Sequence, residues 1–93
     1  MEVSLGDIVK SKAGRDKDIL FVVLRNDKDF VYMANGTGRK VDNLKKKRRK
    51  HVSVLQKSQF IANKLLANEK VTNVELRREL TEYCESCVPD VTI

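Results

Sequence analysis

Tryptophan is absent from this 93-residue chain, aromatics make up 5% of it, and it has one proline, one histidine and two cysteines. Each shortage closes off a class of function. Two cysteines, Cys84 and Cys87, cannot build the disulfide framework that staples small secreted domains. With His51 the single histidine, no GxSxG, and a GTGRK stretch that lacks the GxxxxGK[ST] spacing, no catalytic constellation emerges. Neither an enzyme nor a cofactor is expected. The longest apolar run, Ile19 to Leu24, is far shorter than the roughly 18 to 20 residues of a membrane span. The opening MEVSLGD has neither the cationic start nor the apolar block of a signal peptide. A cytoplasmic protein without a membrane partner is expected.

What the chain has in quantity is charge, 34% of residues with a net of +6. The excess is confined to one half. Residues 1–55 hold 14 Lys and Arg against 7 Asp and Glu, net +7, while residues 56–93 hold 5 against 6, net −1. A field of one sign concentrated in one region favours a polyanionic partner, nucleic acid before an anionic membrane surface. Its densest part is KKKRRK, Lys45 to Lys50, flanked by the apolar Leu44 and Val52. A run of this kind can be a solvated disordered segment or a localisation signal. Its apolar flanks argue instead for a row held between two packed elements. If all six cations met phosphates, the row alone would give a log-log salt slope of about −4 on single-stranded RNA.

At this length one small domain is expected, burying roughly 60 to 70% of its unfolded surface. The first half reads as short strands between turns: Val3 to Lys10, a polar loop SKAGRDKD around Gly14, ILFVVL at 19–24, FVYMA at 30–34, a turn at NGTG, a weak strand at RKVDNL, and a last one at His51 to Leu55. ILFVVL and FVYMA are continuously apolar, which predicts that both faces of those strands are covered. The spacing then turns helical. QKSQFIANKLLAN, 56–68, gathers Phe60, Ile61, Leu65 and Leu66 on one face, and Leu76, Leu80, Tyr83, Cys84 and Cys87 form a second stripe. Thr72 and Glu75 make a capping box with Val71 and Leu76 as its staple, and Pro89 bounds the helix. A tight turn at 69–71 joins the two.

The stretch GDIVKSKAGRDKDILFVV, continued through NGTGRK to the basic row and His51-Val52, resembles the KOW motif of small RNA-binding proteins. The likeness is closest to a bacterial group related to a large-subunit ribosomal protein family of archaeal and eukaryotic type. The start of the second helix, Thr72, Asn73, Glu75, Leu76 and Arg77, is also similar to that group. The family often has a second glycine where this chain has Asp18, a residue that tolerates left-handed backbone better than most.

The resemblance implies an α+β, mainly β fold: a small SH3-like KOW β-barrel over 1–55, with a C-terminal α-helical hairpin over 56–93 packed on it as one compact unit. It also implies that the Gly14 loop contacts RNA, ribosomal RNA foremost. The candidate RNA-binding residues are Lys10, Lys12, Gly14, Arg15 and Lys17, then Arg39 and Lys40, then Lys45, Lys46, Lys47, Arg48, Arg49 and Lys50. Alternate strand residues share a face, so Lys10 and Lys12 are expected to project together if the strand continues that far.

Phe21 and Phe30 lie in apolar runs and read as core, which leaves Tyr32 as the one barrel aromatic free to stack. Structured RNA recognised by backbone and form therefore fits better than a bare single strand. Cys84 and Cys87 read as core, since zinc wants four ligands and redox chemistry a βαβ unit. The pairs Asp16/Asp18 and Asp27/Asp29 sit in turns for backbone reasons. Two rival readings differ in the helices: a protein-interaction module, with ribosomal proteins as possible partners of the hairpin, and a DNA-binding helix-turn-helix over 56–87. The second rival is weakened by Glu75, Glu79, Glu82 and Glu85 on its recognition helix.

Overall fold

The computed structural model describes residues 3–87, with side chains through Cys84. Five strands come first: β1 (Asp7–Ser11), β2 (Leu20–Asn26), β3 (Phe30–Ala34), β4 (Lys45–Arg48) and β5 (Val52–Lys57), with a turn of 3-10 helix at Arg49–His51 between the last two. Helices α1 (Gln59–Leu66) and α2 (Asn73–Cys87) follow. All strand pairs are antiparallel, in the order β4-β3-β2-β1-β5. The sheet is open, because β4 and β5 are its outer strands and among the described residues no ladder joins them into the expected barrel.

Three boundaries differ from expectation. The weak strand expected at RKVDNL is a turn region, and the strand forms instead from the lysine row. Gln56 and Lys57 belong to β5 rather than to the first helix, which moves the junction of the two halves past Leu55. Helix α1 stops at Leu66 because Asn68 takes a left-handed φ of 63°. Its N–H then reaches Leu65 O, and that of Glu69 reaches Lys64 O, closing off the helix's last carbonyls.

β2 is covered on both faces, as its composition predicts, whereas β3 is covered on one face and, on the other, only at its Ala34 end. One face of the sheet buries Val9, Phe21, Val23, Val31, Met33 and Val52 together with Val3. The other buries Ile8, Val22 and Ala34 against Ile61, Val71 and Leu76 of the helical segment. A fully buried side chain of this size contributes roughly 1.5–3 kcal/mol, so two such layers give a small chain its stability.

The helices are placed by specific contacts. Ser58 accepts from the N–H of Ile61 to cap α1 and donates to Glu79 of α2 at 2.7 Å. The capping box forms as expected, with Thr72 N–H donating to Glu75 at 2.9 Å and Glu75 N–H to Thr72 Oγ1 at 3.2 Å. Lys64 Nζ reaches Glu75 at 2.7 Å, tying α1 to α2; its ammonium first, and the Thr72 N–H second, hold that carboxyl below its ordinary range. Gly6 has φ +85°, and a Cβ there would lie 2.7 Å from Ala62 Cβ, so this glycine is what lets α1 pack on the β1 entry.

Cys84 is exposed, which corrects its assignment to the core: α2 turns Tyr83, not Cys84, toward the sheet. The Cys87 side chain and Pro89 lie outside the described residues. Among the described residues, no group of three or more His, Cys, Asp or Glu could hold a metal, and no helix is long and apolar enough to cross a membrane.

Candidate nucleic-acid interface

The six-cation row is split by strand alternation. From Lys45 to Lys50 the side chains run half-buried, exposed, half-buried, exposed, half-buried, exposed. Lys45 and Lys47 lie opposite the buried Met33 and Val31 and therefore point toward the same side of the sheet. There they meet Asp16 of the Gly14 loop. Lys47 Nζ sits 2.6 Å from Asp16 Oδ1 and donates to Ala13 O at 2.7 Å, while Lys45 Nζ lies 3.3 Å from Asp16 Oδ2. Arg49 is also committed, its guanidinium donating to Asp27 O at 2.9 Å and Val3 O at 3.4 Å. Lys46, Arg48 and Lys50 remain turned to solvent. The row is thus divided: Lys45, Lys47 and Arg49 serve as anchors, and Lys46, Arg48 and Lys50 face solvent.

Asp16 is the hinge of this arrangement. Burial would raise its pKa, but hydrogen bonds from Lys47, Ser11 and Lys45 outweigh that cost and hold it down at about 2. Ser11, fully buried at the end of β1, donates to Asp16 Oδ1 at 2.8 Å. The loop turns on Gly14 at φ +87° and on Asp18 at φ +72°, a backbone that aspartate tolerates better than most residues. A Cβ on Gly14 would come within 3.3 Å of Lys47 Nζ. The loop is therefore fastened to β4 through its backbone and its acid. Its cations, Arg15 and Lys17, stay exposed at the tip.

Two clefts connect the remaining candidates. One, of about 170 Å³, is lined by Asp16, Ile19, Phe21, Asn35, Gly38, Arg39 and Lys45, and so brings the Gly14 loop, the NGTGRK turn and the start of the basic row to one place. The turn is shaped by Asn35, whose Oδ1 accepts from the N–H groups of Thr37 and Arg39. Arg39 is half-buried and Lys40 exposed. The second cleft, of about 230 Å³, has Lys12, Arg49 and Lys50 on its walls. Lys12 N–H donates to His51 O at 2.8 Å, which carries β1's pairing one residue past its end and sets Lys12 beside the end of the row. Lys10, half-buried across from Leu20 and Ser53, lines neither cleft, so it does not act with Lys12 there.

Two residues gain a place that sequence patterning concealed. Phe30 is not core: it is half-buried, with Lys46 Nζ 4.3 Å and Arg48 Cζ 5.2 Å from its ring centroid. Arg25, in none of the basic segments, lies over Tyr32 at 5.8 Å. The period-two spacing of Phe30 and Tyr32 was the available signal, masked by the unbroken apolar run FVYMA. No protein-family model matches this chain, and no curated protein does.

Proposed function

We propose that this protein binds structured RNA, ribosomal RNA foremost, through the surface formed by the Gly14 loop, the Arg39-Lys40 turn and the exposed half of the basic row. Within this reading the five-stranded sheet belongs to the SH3-like KOW class that the sequence resembles. The role is binding, with no catalytic step and no cofactor, in the cytoplasm on or near the ribosome. One observation carries the proposal: Lys45 and Lys47 are spent on Asp16 and Arg49 on backbone carbonyls, which fastens the Gly14 loop, with its exposed Arg15 and Lys17, to one side of β4 and fixes the strand that turns Lys46 and Arg48 to the other, while Lys50 shares a cleft with Lys12. A row that served only solubility would gain nothing from such anchoring. Ordered cations bind phosphates without first losing the conformational freedom of a mobile tail.

A second reading has its own support. Leu66 is 78% exposed and Val74 61%, apolar side chains on the helical hairpin that a docked protein, ribosomal or otherwise, would cover. The two readings separate in one experiment. Glutamine at Lys12, Arg15, Lys17, Lys46, Arg48 and Lys50 should abolish salt-dependent binding to ribosomal RNA and leave protein binding intact. RNA binding that survives the substitutions unaltered would falsify the assignment of this surface. A wild-type preference for duplex DNA over ribosomal RNA in competition would favour the helix-turn-helix instead.

A further inference from the structure

β3 presents its two faces differently. Val31 and Met33 are fully buried on one side, whereas Phe30 and Tyr32, on the other, belong to neither buried cluster. The helical hairpin covers this second face only at its Ala34 end. Strand register completes the exposed end. Tyr32 stands between Arg25 of β2 and Lys46 of β4, and Phe30 stands opposite Arg48. Directly opposed residues share a face, so two rings and three exposed cations form one patch. Its frame is stiffened by Asp27, whose Oδ1 accepts from the N–H groups of Asp29 and Phe30 and whose Oδ2 accepts from the Tyr32 hydroxyl at 3.1 Å. That hydrogen bond raises the Tyr32 pKa, and those from Phe30 and Asp29 lower that of Asp27, so the contact is between a phenol and a carboxylate.

Phosphate recognition alone has no use for aromatic rings. Unpaired bases do, because every base has a π-face and a stacked base is worth about tenfold or more in affinity. Rings two residues apart on one strand are roughly 7 Å apart, enough to take one splayed base each. Guanidinium groups lying over the rings add planes on which a base can also stack.

We infer that the Phe30–Tyr32 face takes one or two unpaired bases from the RNA, stacked against the Phe30–Arg48 and Tyr32–Arg25 pairs, while Lys46 meets the phosphate between them. This rests on the RNA-binding reading and adds to it that the target is a helix interrupted by a bulge or loop, not a continuous duplex.

The test is a salt titration of binding to three RNA probes: a fully paired duplex, the same duplex with a bulge of unpaired adenosines, and that bulge made abasic. The wild-type protein should bind the bulged probe about tenfold more tightly than either of the others. The double variant Phe30→Leu with Tyr32→Leu should lose that margin and keep its duplex affinity, and Tyr32→Phe should keep the margin. Equal, salt-dependent affinity for all three probes overturns this inference and leaves the basic surface standing. Binding to none of them overturns both. Should the leucine variant not fold, the abasic comparison on the wild-type protein decides the matter alone.

Discussion

Replacing Lys46, Arg48 and Lys50 by glutamine should have a different effect from replacing Lys45 and Lys47, although the two sets interleave in the sequence. The first set is exposed, and if the protein binds RNA as proposed, removing it should take three cationic contacts from the interface. At about 0.7 counterions released per contact on single strands, the log-log salt slope should fall by about 2, half of what six free cations would give. Folding stability should scarcely change, since exposed cations contribute little to it. The second set holds Asp16, whose carboxyl sits at about 2 against an ordinary 3.8. A depression of that size corresponds to about 2 kcal/mol. Losing it should lower Tm by roughly 10 °C in a domain this small. The slope should stay near the wild-type value under conditions where the variant remains folded. Urea unfolding and binding isotherms at several salt concentrations read both quantities. If the two substitutions reduce the slope equally, the strand does not alternate as described and the division into anchors and ligands is wrong.

Asp16→Asn should cost a comparable amount at neutral pH, and its pH dependence has a definite sign. Because the folded pKa is depressed, the stabilisation is complete above about pH 4 and disappears as pH falls through about 2, so wild type and variant should converge in acid unfolding curves. At the sheet–helix contact, Gly6→Ala should destabilise by about 2 kcal/mol or more, since it combines a positive φ with a backbone clash against Ala62, whereas Gly38→Ala, with nothing within 4 Å, should be nearly silent. Thermal melts of the two alanine variants side by side would expose an error in the packing of α1 if they shifted alike.

Much of the fold was legible because its signals are local. β2 and β3 announce themselves as apolar runs, the Thr72–Glu75 box marks the start of α2 to the residue, and Asp18 adopts the left-handed backbone that its turn requires. β4 was not legible. Nothing in KKKR has the apolar alternation by which a half-buried strand is read, and its pairing with β3 together with Asp16, about thirty residues upstream, decides its conformation. The same non-local cause hid which cations would be spent. Phe30 was misplaced for a simpler reason: a run apolar on both faces does not say where its cover ends. The turn that carries Arg39 could be read directly from its glycines and asparagine, and it brings Arg39 to one cleft with Asp16 and Lys45 of β4, while Lys12 shares another with Arg49 and Lys50.

As the outermost strand on its side, β4 also has a row of backbone N–H and C=O groups with no sheet neighbour beyond it among the described residues. Such a border invites a second molecule to add its own strand, and flanking ammonium groups are a common deterrent. Lys46 and Arg48, exposed on this strand, are placed to discourage such pairing between copies of the protein. Erasing these charges by mutation should therefore leave the border open to pairing, which would be read as self-association in sedimentation.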